Sequence, residues 1–502
     1  MTDASNKTPN NHLKIGVIGG GMAGSTIALR LAEQGFAVSL FEAGPSLVNG
    51  PPICHLHAGG NLYRDISDQQ CLQLLEQSIE TLRVYPHSAN IRPTVIAVPR
   101  QDPEHPEHLI PRLNLLKQRY QALVTQDECN AVLGHPDEYF RLYSREDMER
   151  LAQRELPDYT MTADDWMIPV ARHLDLNNFQ YPFVLVQEYG VSVFRLAATV
   201  SLALDALGNC QVHTSTQVTD LAYLPQPNQW RITYQSFDVN KADVISREIE
   251  VDYVINACGY RTGTLDNLAS QPRQRLVEFK AAYVTHWQDS QADWPEVIFH
   301  GQRGTPEGMA QLTPYPDGYF QLHGMTPEIT LFQDGLVRST ATSAQPELGE
   351  SFKTKLKSGW QPQEAEARTQ RAIDHLAQFI PAYQSAVIGG PPLFGAQQIP
   401  GDDPSLRAAD VSFAGQRYAR AEIVKASSAL AAAERILEQL VCEGIISESA
   451  SGASNRWEER FSITQQLSLE AIVEKAEQLA AARCFPTALA LPVGQLKTPV
   501  TD

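Results

Sequence analysis

Four side chains in the second half of the sequence are candidates for acid–base or anion-binding chemistry. His323 lies near the end of a strand-like segment, residues 315–324, where it could act as a base or be a hydrogen-bonded structural histidine. Arg417 and Arg420 could each bind a substrate carboxylate through the guanidinium fork, or form a surface salt bridge. Lys280 could hold a water in an active site or simply end a strand. Together these residue types could bind an anionic group and accept a proton.

A glycine-rich turn near the amino terminus predicts where a nucleotide binds. Residues 14–24 form an apolar strand, a Gly-x-Gly-x-x-Gly turn and the start of a helix. Gly19 permits the tight turn, Gly21 leaves room for a diphosphate, and Gly24 lets the helix pack closely on the strand. The sequence therefore predicts a dinucleotide-binding site at this turn.

The following residues complete a strand–helix–strand unit. Met22 and Ala23 open the helix, so their N–H groups are expected to meet the diphosphate. Gly35 ends the helix, and residues 36–41 are typical of a second strand. Glu42 follows at roughly the position where an acidic residue accepts hydrogen bonds from ribose hydroxyls. A carboxylate there argues against a 2′-phosphate and favours FAD or NAD.

Composition limits the class of protein. The chain has 502 residues, 43% of them apolar, and this length favours two joined domains. Its formal net charge of −18 disfavours binding to nucleic acid, while a peripheral membrane contact stays open. The seven cysteines include no Cys-x-x-Cys pair, so we predict no metal site and expect a cytoplasmic location. Residues 1–12 lack the apolar core of a signal peptide, and no apolar stretch is long enough to cross a bilayer.

Strand and helix signals recur at widely separated positions. A helix over 194–207 precedes a strand over 210–218, a buried strand follows at 249–259, and a further strand at 409–415 precedes a helical segment. We expect these segments to build one nucleotide-binding domain, with the blocks between them forming a second domain. The expected boundaries are 13–64, 186–269 and 401–442 for the first domain, 65–185 and 270–400 for the second, and 443–502 for a C-terminal helical extension that docks on the body.

The order of these motifs resembles a known family. The glycine turn with Glu42, the strand reaching Val218, the strand end at residues 256–259 and the late segment 413–415 are similar to FAD-dependent oxidoreductases of the D-amino acid oxidase superfamily. The resemblance covers most of residues 13–440. It implies FAD as cofactor and an α/β fold, with a Rossmann-like FAD-binding domain assembled from discontinuous segments. It also implies an α+β substrate domain with a mixed or antiparallel sheet.

The resemblance also implies roles for single residues. In that family the backbone at the position of Val218 meets the adenine, Ala257 and Gly259 flank the diphosphate, and the segment with Gly415 lies by the flavin ring. Cys258 departs from the more usual small or hydroxyl residue, although a buried cysteine fills a similar volume. Like Lys280, Lys425 is a further candidate to hold a water at the flavin, or it caps a loop.

A histidine segment after the second strand is similar to a flavin-contacting loop of this superfamily. His57-Ala58-Gly59 resembles the His-Ala-x-Gly of amine-oxidising members, in which the histidine lies against the flavin or carries it covalently. His57 could thus bond to the flavin, stabilise the reduced ring by its charge, or be a structural loop residue. His55 is expected to be structural.

Two subgroups of the superfamily compete as models for function. Residues 111–123, 144–150 and 188–196 resemble malate:quinone oxidoreductases, whereas the segment at His57 resembles amine-oxidising members. The sequence predicts hydride removal from a C–N or C–OH bond of a small carboxylate, with amines or amino acids slightly ahead and oxygen or quinone as electron acceptor. A malate:quinone-type dehydrogenase is the alternative. A flavoprotein that modifies a protein residue or a biosynthetic intermediate with a partner is the third reading.

Overall fold

The computed structural model describes residues 13–50, 66–238, 243–290, 292–406, 410–451 and 460–494. Its strands, in chain order, are β1 (Lys14–Ile18), β2 (Ala37–Phe41), β3 (Ala89–Asn90), β4 (Thr94–Pro99), β5 (Phe140–Tyr143), β6 (Phe179–Val186), β7 (Gly190–Val191), β8 (Cys210–His213), β9 (Thr216–Leu224), β10 (Gln229–Asp238), β11 (Asp243–Val251), β12 (Tyr253–Asn256), β13 (Arg275–His286), β14 (Glu296–Phe299), β15 (Ala310–Pro314), β16 (Tyr319–Gly324), β17 (Leu336–Arg338), β18 (Val387–Ile388), β19 (Leu393–Pro400), β20 (Asp410–Ala414) and β21 (Tyr418–Glu422). Its α-helices are α1 (Met22–Glu33), α2 (Asp68–Val84), α3 (Ile110–Gln126), α4 (Arg145–Ala152), α5 (Ala163–His173), α6 (Val193–Ala206), α7 (Thr262–Leu268), α8 (Glu350–Ser358), α9 (Pro362–Ala377), α10 (Ala429–Cys442), α11 (Glu448–Ser451), α12 (Ser462–Gln466) and α13 (Leu469–Ala482).

A six-stranded sheet carries the glycine turn. Its order is β20-β21-β12-β1-β2-β8, and every pair is parallel except β20 with β21. Ile15 of β1 pairs with Val38 on one side and Tyr253 on the other. These central strands are buried because helices cover the sheet, which explains their continuous apolar sequence. Segments far apart in the chain thus build one sheet, as the sequence predicts.

Two predicted strands are each divided in the structure. Residues 249–259 contribute to both β11 and β12, separated by Asp252, whose carboxylate accepts a hydrogen bond from the backbone N–H of Lys14 at 2.8 Å. Residues 210–218 divide between β8 and β9, where Ser215 adopts a positive φ of 48°. Between β8 and β9 the chain leaves the six-stranded sheet for an antiparallel sheet of order β11-β10-β9, and between β11 and β12 it returns.

The second large sheet of the fold is mixed and has ten strands. Its main path is β17-β13-β16-β15-β14-β4-β6-β5, and β18 and β19 also pair with β13. The pair of β14 with β4 is parallel, and the other pairs are antiparallel. Aromatic and aliphatic side chains between this sheet, α5 and α9 make a core of its own.

The C-terminal segment docks on the helices of the six-stranded sheet. Ile472 and Ala480 of α13 belong to the same buried cluster as α1, and the Phe485 ring lies 5.9 Å from that of Phe194 on α6. The Arg195 guanidinium donates to the carbonyl of Ala490 at 2.9 Å. Helices α2 and α3, expected in the second domain, also share this cluster, so the domain boundaries stay predictions. Among the described residues, no helix combines the length and apolar character that a membrane span requires.

Candidate active site

A cavity of about 1510 Å³ begins at the glycine turn and extends to the ten-stranded sheet. The carboxyl ends of the parallel strands form one end of it. Residues of β13, β15, β16 and β19 form the other end, including Lys280, Gln311, His323 and Gln397. One cavity therefore connects the nucleotide-binding turn with a polar wall.

The three glycines of the turn meet different surroundings. A Cβ on Gly19, whose φ is +103°, would collide with the Ala257 carbonyl, and a Cβ on Gly24 would collide with the Gly19 carbonyl. Among the described residues, a Cβ on Gly21 would meet no atom within 4 Å, and Gly21 itself lines the cavity. Gly19 and Gly24 are thus required by the fold, whereas the space beside Gly21 is open to a ligand.

The N-terminus of α1 fits a bound diphosphate. Gly21 is the N-cap residue and provides no side-chain cap, and Met22 and Ala23 line the cavity with it. First-turn N–H groups have no partner within a helix, and they favour an anion together with the helix dipole. The backbone at this point can therefore hold the diphosphate of a dinucleotide.

Glu42 lies beside this turn at the end of β2. Its Oε2 accepts from the Gly20 N–H at 2.7 Å and its Oε1 accepts from the Gly44 N–H at 2.6 Å. Each carboxylate oxygen has a further lone pair for a hydroxyl, and the residue lines the cavity. This geometry suits the expected ribose contact.

Four more residues that the sequence predicts at the cofactor line the cavity. They are Val218, Ala257, Gly259 and Lys425. The neighbouring Cys258 thiol donates to the Ile18 carbonyl at 3.3 Å, and burial raises its pKa well above the ordinary range, so it stays a neutral thiol. His57, Ala58 and Gly59 lie outside the described residues.

The structure corrects the placement of Gly415 and Arg417. Both lie in the turn between β20 and β21, with positive φ angles of 55° and 54°, and neither lines the cavity. Because β21 runs parallel to β12, this turn is at the amino end of the strand, whereas nucleotides bind at the carboxyl ends. Residues 421 and 423–426, at and beyond the carboxyl end of β21, line the cavity instead.

Arg420 is also placed away from the cavity. Its Nε donates to Asp266 at 2.6 Å, and Asp266 also pairs with Arg275 at 2.5 Å. Arg275 binds Glu422 at 3.0 Å, and all four side chains are buried. Arg420 therefore belongs to a buried ion-pair network and is not available to a substrate carboxylate.

Lys280 lies on the cavity with a carboxylate partner. Its Nζ is 2.7 Å from Glu278 and 3.1 Å from the Gln397 side-chain oxygen. Glu278 also pairs with Arg303, which lines the cavity as well. Two cations thus share one carboxylate on this wall.

His323 lies on the same wall and is held by two glutamines. The amide nitrogen of Gln311 donates to the Glu296 carboxylate at 2.7 Å, so its oxygen faces His323 Nδ1 at 3.3 Å. Since that oxygen only accepts, Nδ1 carries the proton, and Nε2, 3.4 Å from the Gln321 amide nitrogen, is the acceptor. Glu296 is anchored in turn by Arg92 at 2.5 Å. This chain of bonds orients a neutral imidazole at the cavity.

Several cavity residues have no signal in the local sequence. Val48, His300, Gln311, Arg483 and Phe485 come from loops or from strands whose pairing is not visible in the sequence. Gln311 shows the problem, because it becomes informative only when β14, β15 and β16 are adjacent.

A glycine-rich turn on a parallel sheet with an acidic residue at the next strand end is typical of a dinucleotide-binding fold. A family model described as FAD dependent oxidoreductase (DAO) matches residues 14–396. The chain therefore belongs to the FAD dependent oxidoreductase family. The resemblance, the fold class and the FAD cofactor that the sequence predicted are confirmed.

Solved structures with the same fold are distant in sequence. Glycine oxidase from Geobacillus kaustophilus is 12% identical, with 91% of this chain and 100% of that chain covered and a TM-score of 0.52. L-amino acid deaminase from Proteus vulgaris is 12% identical, with 90% and 98% covered and a TM-score of 0.53. Glycerol-3-phosphate dehydrogenase from Bacillus halodurans, complexed with FAD, is 12% identical, with 95% and 73% covered and a TM-score of 0.52. At these identities the likeness shows the fold alone, and no curated protein matches the chain.

Proposed function

We propose that this FAD-dependent oxidoreductase removes hydride from a C–N bond of a small amine or amino acid that carries a carboxylate, and that a C–OH donor is the less favoured form of the same reaction. FAD supplies the two-electron acceptor for this chemistry when it is bound. The observation that carries the proposal is the shared wall of Lys280 and His323 on the cavity that starts at the glycine turn. Amines are favoured over alcohols by the segment at His57, whose sequence resembles that of amine-oxidising members.

The wall provides the two functions that such a donor needs. Lys280 and Arg303 both line the cavity beside Glu278, so a substrate carboxylate can bind next to these two cations. His323 lines the cavity, and its Nε2 can take the proton from the donor nitrogen or oxygen in place of the 3.4 Å hydrogen bond from Gln321. The hydrogen bond to Gln311 keeps the proton on Nδ1 and holds the ring in one orientation, so that Nε2 is the basic nitrogen.

The test is an anaerobic titration of the purified yellow holoenzyme with separate panels of secondary amines, amino acids and 2-hydroxy acids including malate. The proposal expects loss of the flavin's visible absorption with an amine or amino acid. Bleaching by malate alone would replace it with the malate:quinone-type reading. If no member of any panel bleached the flavin, a small-molecule donor would be refuted and a protein-bound or larger substrate would take its place. With the donor known, reoxidation by oxygen compared with a quinone identifies the acceptor.

A further inference from the structure

The segment after α13 brings an arginine to the nucleotide end of the cavity. Arg483 lines the cavity, and its Cζ lies 5.5 Å from the centre of the Phe194 ring. The residue is 87 positions beyond residue 396, where the match to the family model ends. The family model therefore does not assign it a role.

Arg483 is bonded to the loop that follows Glu42. Its Nη1 donates to the Val48 carbonyl at 3.1 Å, and its Nη2 donates to the Leu47 carbonyl at 2.8 Å and to Ser46 Oγ at 3.0 Å. The Val48 N–H in turn donates to the carbonyl of Gly20 at 2.8 Å. A single residue thus separates the guanidinium from the glycine turn.

The guanidinium has no carboxylate partner within ion-pair distance among the residues that the structure describes. Its Nε is buried and has no hydrogen-bond partner there. Burial lowers the pKa of Arg483 to about 10, with Glu42 acting in the opposite direction, so the side chain remains charged at neutral pH. By contrast, Lys280 and Arg303 on the opposite wall both pair with Glu278. A half-buried cation without a direct ion pair is costly, and a ligand that supplies an anion offsets this cost.

We infer that Arg483 is a cofactor-binding residue and that its charge interacts with the diphosphate of FAD. The anion is the group expected at the first turn of α1, which the loop of residues 46–48 connects to Arg483. The C-terminal segment is therefore part of the cofactor site as well as a packing element. This inference depends on FAD being the cofactor and is independent of the identity of the donor.

Binding of FAD fragments to the apoprotein tests the inference without any turnover. FAD, ADP and adenosine are each titrated into apoprotein of the wild type, Arg483→Gln, Arg483→Lys and the control Arg435→Gln. Arg435 is exposed on α10, so its substitution removes the same charge far from the loop of residues 46–48. ADP carries the diphosphate and adenosine lacks it, so their ratio isolates the charge effect.

For Arg483→Gln we expect the dissociation constants of FAD and ADP to rise about tenfold or more, while that of adenosine changes less than about twofold. Arg483→Lys keeps the charge but not the geometry of the three loop bonds, and should stay within about threefold of the wild type for ADP. Equal losses for ADP and adenosine would show that Arg483 only holds the loop, and unchanged ADP affinity would also overturn the inference. If Arg483→Gln failed to fold, a tenfold loss of ADP affinity in a folded Arg483→Lys would refute it, because the charge would be present without effect.

Discussion

Gln311 accepts a hydrogen bond from Nδ1 of His323 at 3.3 Å because its own amide nitrogen is committed to Glu296. Replacing Gln311 with Leu should therefore lower the rate of flavin reduction by about tenfold, since the imidazole loses its fixed orientation. It should also cost about 1–2 kcal/mol of unfolding free energy, because Glu296 loses a buried hydrogen bond. Stopped-flow reduction and urea unfolding measure the two effects. Gln370→Leu, on the exposed face of α9, is the control, and an unchanged reduction rate would exclude an orienting role for Gln311.

His323→Asn should keep the flavin and lower the reduction rate by about a hundredfold if the imidazole takes the donor proton. The matched control is His375→Asn, a buried histidine outside the cavity that bonds to the Gly308 carbonyl at 2.9 Å. A reduction rate of His323→Asn close to that of the wild type would assign the base to another residue.

Lys280→Met should weaken the binding of a carboxylate-bearing donor by about tenfold, since the wall loses a positive charge. The same substitution should have little effect on the corresponding amide, which carries no charge. The measurement is the donor concentration that gives half-maximal flavin reduction. Lys353→Met, an exposed substitution on α8, controls for the loss of one charge. An equal effect on the acid and the amide would mean that Lys280 acts on the shape of the wall and not on the carboxylate.

Gly21→Val should produce a folded protein with less than about a tenth of the wild-type flavin, because the added side chain points into open space in the fold and into the path of the diphosphate. The ratio of flavin to protein absorbance measures the flavin content, and the melting temperature of the apoprotein shows whether the variant is folded. Gly208→Val, where a Cβ also meets no atom of the described part of the chain within 4 Å, should retain its flavin. Full flavin occupancy in Gly21→Val would contradict the assignment of the turn.

Glu33 makes stability depend on pH. Burial raises the pKa of this carboxyl from 4.5 to about 7, and its Oε2 accepts from the Phe461 N–H at 2.7 Å. Between these two values the folded protein binds more protons than the unfolded chain, so stability falls as the pH rises from about 4.5 to 7. Glu33→Gln keeps the acceptor without the charge and should be on the order of 2 kcal/mol more stable than the wild type at pH 8, with little difference at pH 5. The stability difference between wild type and the exposed control Glu438→Gln should not depend on pH. Equal unfolding curves of Glu33→Gln and wild type at pH 8 would show that Glu33 does not cause the pH dependence of stability.

Features set by local backbone requirements were predictable from the sequence. Gly19 and Gly24 are needed because neighbouring carbonyls leave no room for a Cβ, and Glu42 follows the strand at a fixed spacing. These constraints act over a few residues, so the motif carries them. The discontinuous sheet was predictable because each of its segments carries its own local strand or helix pattern.

Features set by strand direction and distant packing were not predictable. Arg417 and Arg420 are close in sequence to cavity residues, yet the direction of β21 puts Arg417 at the amino end of the strand, and Asp266 binds Arg420. Arg483 reaches the site through the docking of α13, for which no motif exists. Lys280 and His323 were predictable as residue types, while their common wall depends on pairing within the ten-stranded sheet.

The position of β1 between β2 and β12 has a consequence for the order in which the protein forms during synthesis. β2 is available almost at once, but the partner on the other side follows 238 residues later, as the bond between Lys14 and Asp252 shows. At about 5–20 residues per second, the ribosome needs on the order of 10–50 s to supply it. During that interval an apolar strand has one unpaired edge, which chaperones must shield or transient contacts must cover. Residues 421–426 and Arg483 also line the cavity and emerge later still, so the cavity is complete only after Arg483 has been synthesised.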